Sequence, residues 1–219
     1  PPPLADVNLY AIDRPLAEGL AREGGGWGKA AVAALGARVG GAAYQETIRK
    51  ANATLPVLRT HDRFGHRIDE VEYHPAWHEM MRIQMEHEVH NLPWRHRRAG
   101  AHAARLAKHY ILAQIEAGSG CTITMTFAAL PALNADPAVA AEWTPRILGT
   151  EYDPRAVPAK EKTTVLIGMA MTEKQGGSDV RANTTRAFPV GNDEFELTGH
   201  KWFCSAPMSD AFLTLAHTD

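Results

Sequence analysis

The sequence is poor in cysteine and close to neutral in charge. Its 219 residues include two cysteines, Cys121 and Cys204, and carry a formal net charge of −2 with histidine neutral. Two cysteines do not make the disulfide framework of a small secreted domain, so we expect reduced thiols and a cytoplasmic protein. The strongest basic cluster, Arg95, Arg97 and Arg98, is short and is expected to be a solvated helix end rather than a nucleic-acid surface.

Long hydrophobic runs are absent as well. No apolar stretch approaches the roughly 20 residues that a membrane-spanning helix needs. The start, Pro1-Pro2-Pro3-Leu4, lacks the basic region and apolar stretch of a secretory signal. We therefore expect no membrane partner. The chain is nevertheless 45% apolar, which is enough to form a real core.

The pattern of apolar residues changes near residue 160. Helical periodicity precedes this point and short strand-like patterns follow it, which predicts an α+β protein. We expect an amino-terminal all-α domain over residues 1–160 and the start of an antiparallel β-sheet or barrel domain over residues 161–219. The predicted helices are one capped by Asp13 that runs to Arg22, and others over 27–39, 75–92, 101–117, 122–133 and 137–148.

The strand patterns are short and end abruptly. Residues 165–171 form an entirely apolar run. Residues 185–190 and 194–203 flank a Gly-Asn-Asp sequence, which predicts a hairpin with a three-residue loop. A further strand is expected over 212–216. A sheet that stops there has an open edge, so we expect a longer native chain whose carboxy-terminal part is absent from this sequence.

One loop carries the clearest chemical signal. The sequence Met-Thr-Glu-Lys-Gln-Gly-Gly-Ser-Asp, at 171–179, follows the apolar strand. Its two glycines allow a backbone with positive φ that approaches a ligand closely, and successive N–H groups can form an anion-binding nest for pyrophosphate. Thr172 and Ser178 add hydroxyl donors. The alternative is an ordinary Gly-Gly-Ser-Asp turn.

A second segment lies about two dozen residues further on. The sequence Gly-His-Lys-Trp-Phe-Cys-Ser, at 199–205, is expected to be a strand on which Phe203 and Ser205 point to the same side. An aromatic plate beside a hydroxyl suits a planar redox ring; the alternative is an ordinary half-buried strand. We expect Cys204 to be a small buried apolar residue rather than a redox thiol.

Together, the two segments resemble the acyl-CoA dehydrogenase family. In that family Thr-Glu-Pro-x-x-Gly-Ser-Asp leads to a strand that carries an aromatic residue, usually Trp, with Thr or Ser two positions later. The resemblance implies an FAD cofactor and seven contact residues: Met169, Met171 and Thr172 bordering the flavin, Gly177 and Ser178 at its pyrophosphate, Phe203 against the isoalloxazine and Ser205 near N5.

The match is closer to the AidB branch, the alkylation-response flavoproteins. Residues 174–176, Lys-Gln-Gly, stand where most of the family has Pro and other residues, and they resemble this branch. Residues 183–187 and 116–119 also agree with it. The resemblance implies an acyl-CoA substrate, with removal of an alpha proton and transfer of a beta hydride to flavin N5, in a homotetramer. An alternative is a DNA-associated protective flavoprotein with weak turnover, and a third is a flavin-binding scaffold without turnover.

Two departures from the family matter. Its catalytic base is a glutamate in a carboxy-terminal helical domain that this sequence does not contain, so we assign no catalytic residue. Ala129 falls where some relatives have a glutamate at the base of the acyl pocket, which leaves substrate preference open. Eleven histidines invite a metal site, but His74 and His78 share a helix face without further ligands, so we expect none.

Overall fold

The computed structural model describes residues 2–218. Apart from one pair of strands within residues 57–72, helices fill the first two thirds of this range and strands the last third. The helices are α1 (Arg14–Arg22), α2 (Lys29–Val39), α3 (Ala42–Ala53), α4 (Pro75–Glu86), α5 (Leu92–Arg95), α6 (Ala101–Ala113), α7 (Gly120–Leu133) and α8 (Pro137–Ile147). The strands are β1 (Val57–His61), β2 (Arg67–Glu72), β3 (Ile167–Ala170), β4 (Arg186–Gly191), β5 (Glu194–Thr198) and β6 (Ala211–Thr214).

Helices α1 to α7 share one apolar core, and α8 packs with α7 and β3 in a second, smaller one. The central side chains of the larger core are fully buried, and burial of each contributes about 1.5–3 kcal/mol. They include three methionines of α4, which pack among residues of α2, α6 and α7: Leu35, Met80, Met81, Met85, Ile111 and Ile123. Within the described residues, no helix is both long and apolar enough to cross a membrane.

The helix predicted over 75–92 is wrong at its end. It stops at Glu86, and Glu88 adopts a left-handed conformation with φ of 59°. Two cations of α6 cap the carbonyls that this break exposes: Arg105 donates to Val89 over 2.7 Å and Lys108 donates to His87 over 2.9 Å. The apolar spacing continued through the break because residues on both sides face the same core.

The segment between α2 and α4 contains more structure than the sequence indicated. Helix α3 was not predicted, although Ile48 and Ala51 bury one of its faces. The region expected to be irregular or extended contains β1 and β2, which pair antiparallel. Their residues are almost all exposed, so they lack the alternation of apolar and polar side chains that reveals a half-buried strand.

The strands differ from the predictions in pairing and length. β4 and β5 form an antiparallel hairpin, but its loop has two residues, Asn192 and Asp193, with φ of 54° and 59°. That is the left-handed geometry of a tight hairpin turn. β3 and β6 pair parallel instead of antiparallel. β5 ends at Thr198, so residues 199–205 are not a strand.

Side-chain contacts connect the strands to the helices. The Thr126 hydroxyl of α7 donates to the Thr122 carbonyl and accepts from the Ile167 amide of β3 over 3.1 Å. A buried ion pair of 2.7 Å joins Lys162 to Asp210, just before β6. Asp210 also accepts from the Leu166 amide over 2.8 Å. These contacts fix the start of β3, and the loop at 171–179 begins at the other end of that strand.

Candidate functional site

The loop that follows β3 closes on itself at once. The Gly176 amide donates to the Glu173 carbonyl over 3.0 Å, and the Glu173 amide donates back to the Gly176 carbonyl over 3.4 Å. Gly176 has a φ of +134°, a conformation that a side chain would strain. The glycine therefore permits the tight turn that returns the chain toward the end of β3.

This turn places Gly177 directly against Thr172. A Cβ atom on Gly177 would lie 2.6 Å from the Thr172 hydroxyl oxygen, so a side chain does not fit there without movement. The Thr172 carbonyl accepts from the Trp202 amide over 2.8 Å. Thr172 therefore contacts both segments that the sequence singled out, the loop at 171–179 and the segment at 199–205.

A buried carboxylate holds the two segments together. Glu173 is 2% exposed. It accepts from the amides of Thr184 and Thr185 at 2.6 and 3.0 Å, and from their hydroxyls at 2.9 and 2.5 Å. The Lys201 ammonium donates to the same carboxylate over 3.0 Å. We name Glu173, Thr184, Thr185 and Lys201 the Glu173 cluster.

The Glu173 cluster keeps its carboxylate ionised. Burial alone raises the pKa of Glu173, but the hydrogen bonds from Thr184, Thr185 and Lys201 outweigh it. The pKa of Glu173 therefore lies well below its ordinary value of 4.5. Since its pKa is lowered and five donors already occupy the carboxylate, Glu173 is poorly suited to take a proton from a substrate.

A second set of bonds supports the loop from the opposite side. The Asn183 side chain donates to the Met171 carbonyl over 3.0 Å. Gln175 donates to the Asn183 amide oxygen and to the Ala182 carbonyl, each over 3.2 Å. Glu173, Lys201, Gln175 and Asn183 were not predicted as site residues, because nothing in the pattern shows that a glutamate in a polar loop is buried.

The predicted cofactor contacts retain free donors. Within residues 2–218, the hydroxyls of Thr172, Ser178 and Ser205 make no hydrogen bond, and the amides of Gly177 and Ser178 make none either. Ser178 is exposed and Thr172 is half-buried. The loop and the segment at 199–205 therefore present hydroxyl and amide donors that a bound group could use.

The segment at 199–205 departs from the expected strand. Gly199 packs tightly on Thr185, where an added Cβ would lie 2.3 Å from the hydroxyl oxygen, and Lys201 then pairs with Glu173 instead of continuing along β4. Strand alternation therefore does not place Phe203 and Ser205 on one side. Phe203 is 64% exposed, which leaves its ring open to a ligand.

The expectation that Cys204 is buried is wrong. Its thiol is free and exposed, and its sulfur reaches the Lys201 carbonyl at 4.0 Å. Cys121 is free and exposed too, so the two cysteines form no bridge. Cys204 is exposed because the chain has left the sheet before this residue.

The two methionines of the predicted site differ in surroundings. Met169 lies in β3 opposite Leu213 of β6 and packs partly against the small core formed with α7 and α8. Met171 lies just beyond β3 and is half-buried. Ala129 is fully buried in the same small core. The structure thus brings Met169 to the junction between helices and strands, and Met171 and Thr172 to the start of the loop.

The paired histidines have other partners. His74 caps α4 by accepting from the Ala76 amide, and His78 shares a 2.9 Å hydrogen bond with the Tyr152 hydroxyl. Among the residues that the structure describes, no three His, Cys, Asp or Glu side chains are grouped to hold a metal ion.

Two family models match the chain. Residues 1–154 match the adaptive response protein AidB N-terminal domain, and residues 168–219 match the acyl-CoA dehydrogenase middle domain. The first match alone covers more than half of the chain. The chain belongs to the AidB branch of the acyl-CoA dehydrogenase family. The resemblance drawn from the two segments is thereby confirmed.

Curated relatives agree with this assignment. AidB of Escherichia coli (strain K12) is 48% identical over 220 residues, which span 100% of this chain and 41% of AidB. Acyl-CoA dehydrogenase family member 11 of Caenorhabditis elegans is 29% identical over 180 residues, or 77% of this chain and 27% of that relative. The chain therefore spans less than half the length of these relatives.

Solved structures agree with the fold. The apo-form of Bd2924 superposes with a TM-score of 0.84 at 25% identity, over 100% of this chain and 44% of that one. The Caenorhabditis elegans protein ACDH-11, solved in complex with C11-CoA, gives a TM-score of 0.82 at 25% identity, over 99% of this chain and 37% of that one. The arrangement of helices followed by strands is thus shared with these two solved structures.

Proposed function

We propose that this chain is part of an FAD-dependent oxidoreductase of the acyl-CoA dehydrogenase type. The observation that carries the proposal is the contact of the loop at 171–179 with the segment at 199–205 through Thr172, with free donors on both. FAD would supply the chemistry, by accepting at N5 the hydride that leaves the beta carbon of an acyl-CoA.

The residues present suit such a cofactor. Within residues 2–218 the backbone amides of Gly177 and Ser178 have no partners, and unpaired amides in a tight turn favour a pyrophosphate. The exposed Phe203 ring would pack on the isoalloxazine. The hydroxyls of Thr172 and Ser205 would donate to its polar edge and stabilise the negative charge that reduction brings. Met169 and Met171 would border it.

The substrate we propose is an acyl-CoA. A relative, ACDH-11, was solved in complex with C11-CoA, and 99% of this chain aligns with 37% of that protein. We place the base that removes the alpha proton in the longer protein, beyond Asp219. Glu173 does not take that role because its carboxylate is fully occupied.

The full-length protein tests this proposal. We expect it to bind about one FAD per chain and to reduce it with an acyl-CoA. Ser205→Ala and Phe203→Ala should each weaken FAD retention, measured as flavin absorbance per protein after dialysis. Phe64→Ala is the matched control, since Phe64 is 72% exposed in the loop between β1 and β2. Unchanged flavin content in both site variants would contradict the assignment.

A second candidate function is supported by the AidB family match over residues 1–154. In this alternative the protein is a DNA-associated flavoprotein of the alkylation response with weak turnover, and the DNA contacts lie in the longer protein. Salt-dependent DNA binding by the full-length protein, compared with turnover on short branched acyl-CoAs, separates the two. A steep loss of binding with salt, alongside negligible turnover, would favour the alternative.

Other features remain predictions from the sequence. They are a boundary between domains near residue 160, a cytoplasmic location and assembly into a homotetramer. Size-exclusion chromatography with light scattering on the full-length protein would test the last of these.

A further inference from the structure

We propose that Glu173, acting through Lys201, is a positioning residue for the flavin: it sets the loop at 171–179 against the segment at 199–205 so that both contact one cofactor. This inference rests on the proposed FAD function. Glu173 itself would touch neither flavin nor substrate, since it is buried and its donors all come from the protein.

The number of bonds at Glu173 exceeds what a local turn requires. A carboxylate offers about four lone-pair sites on two oxygens, and here five donors share them. Four of the five come from Thr184 and Thr185, just before β4. The fifth comes from Lys201. One side chain thus ties the loop to the start of β4 and to the segment at 199–205.

The bonds of Glu173 flank the predicted contact residues directly. Thr172 precedes it, and the Thr172 carbonyl accepts from the Trp202 amide, next to the Lys201 that Glu173 binds. Glu173 and Lys201 also form an antiparallel bridge through their backbones. A shift of Glu173 would therefore move Thr172 and the chain leading to Phe203 together.

A merely structural ion pair elsewhere provides the comparison. Lys162 and Asp210 form a 2.7 Å pair with side chains 6% and 5% exposed, as buried as the pair of Glu173 and Lys201 at 2% and 11%. Their pair lies at the opposite end of β3, beside Leu166. Breaking it should disturb the fold without reaching the loop at 171–179.

The test uses the full-length protein and FAD itself. Apoprotein of the wild type, Glu173→Gln and Lys162→Met is titrated with FAD, and the Tm of each apoprotein is measured. We expect Glu173→Gln to raise the Kd for FAD about tenfold or more, and Lys162→Met to change it less than about twofold, at a similar loss of Tm. At saturating FAD, the visible circular dichroism of the flavin should change in Glu173→Gln alone.

Milder variants keep the inference testable if Glu173→Gln does not fold. Thr184→Val and Thr185→Val each remove one hydroxyl donor and retain the amide donor and the side-chain volume. We expect each to raise the Kd for FAD a few-fold. An unchanged Kd for FAD in Glu173→Gln would overturn this inference but not the proposed function. If Glu173→Gln does not fold, an unchanged Kd in both valine variants would have the same meaning. Weakening of FAD binding by Lys162→Met to the same extent would also overturn the inference, because it would indicate a general structural effect.

The outcome for the wild type separates this inference from the function on which it rests. Failure of the unsubstituted protein to bind FAD would overturn the proposed function and the inference with it. Tight FAD binding by the wild type and by Glu173→Gln alike would leave the function standing and remove the role of Glu173.

Discussion

Gly177 and Thr172 are the two residues whose contact shapes the proposed site. A methyl group at Gly177 would lie 2.6 Å from the Thr172 hydroxyl oxygen, well inside van der Waals contact. Overpacking of this kind costs about 1–3 kcal/mol when neighbours have to shift. The absence of a side chain at Gly177 is therefore a steric requirement of the loop.

Gly177→Ala should lower the stability of the apoprotein by about 1–3 kcal/mol and weaken FAD binding, because the loop would have to move away from Thr172. Urea unfolding and FAD titration measure the two effects. The double variant Gly177→Ala/Thr172→Ala removes the clash and should recover most of the lost stability. A single variant as stable as the wild type would contradict the close contact.

Protonation of Glu173 is expected to weaken the fold at low pH. The folded protein lowers the pKa of Glu173 below 4.5, so the folded state binds this proton less readily than the unfolded chain does. The contribution of Glu173 to stability is therefore complete above pH 4.5 and is lost as the pH falls below that value.

Thermal melts across this range test the point. The Tm of the wild type should fall more steeply below pH 4.5 than the Tm of Glu173→Gln, which has no carboxyl group to titrate at this position. Parallel curves for the two proteins would show that Glu173 does not stabilise the folded state through its charge.

At the scale of elements, α7 and β3 are joined by one buried hydroxyl. Thr126 is fully buried and accepts from the Ile167 amide while it donates to the Thr122 carbonyl. Loss of this acceptor leaves a buried amide without a partner, which costs about 1–3 kcal/mol. The contact fixes β3, and the loop at 171–179 extends from that strand.

Thr126→Val should therefore destabilise the protein by about 1–3 kcal/mol in urea unfolding. Thr124→Val is the matched control, because Thr124 lies on the same helix and is exposed. We expect the control to change stability by less than about 0.5 kcal/mol. Equal effects of the two variants would remove the special role of Thr126.

The elements that sequence patterns predicted well are those whose ends carry clear signals. Helices α1, α2 and α7 have nearly the predicted bounds, since caps and glycines mark their ends. The end of α4 could not be predicted, because the cations that cap its break come from α6. The parallel pairing of β3 and β6 was equally hidden, since alternation does not reveal a partner strand.

At the scale of the whole molecule, the sequence predicted that the loop at 171–179 and the segment at 199–205 belong to one site. It did not predict how the two are held together. The motif order of the loop and the segment at 199–205 was visible in the sequence and led to the family. The cluster that joins them depends on the contact between Glu173 and Lys201. These two residues are 28 positions apart in the sequence, so no local pattern predicts their contact. Phe203 is exposed because the chain leaves the sheet after β5, and the strand prediction had missed that departure.

Hydrogen exchange of the full-length protein with and without FAD tests the central claim most directly. The amides of Gly177 and Ser178 make no hydrogen bond within the described chain, and we expect FAD to slow their exchange. Exchange at 203–205 should slow in the same sample, because one cofactor would cover both segments. Binding of FAD that leaves exchange in either segment unchanged would contradict the account.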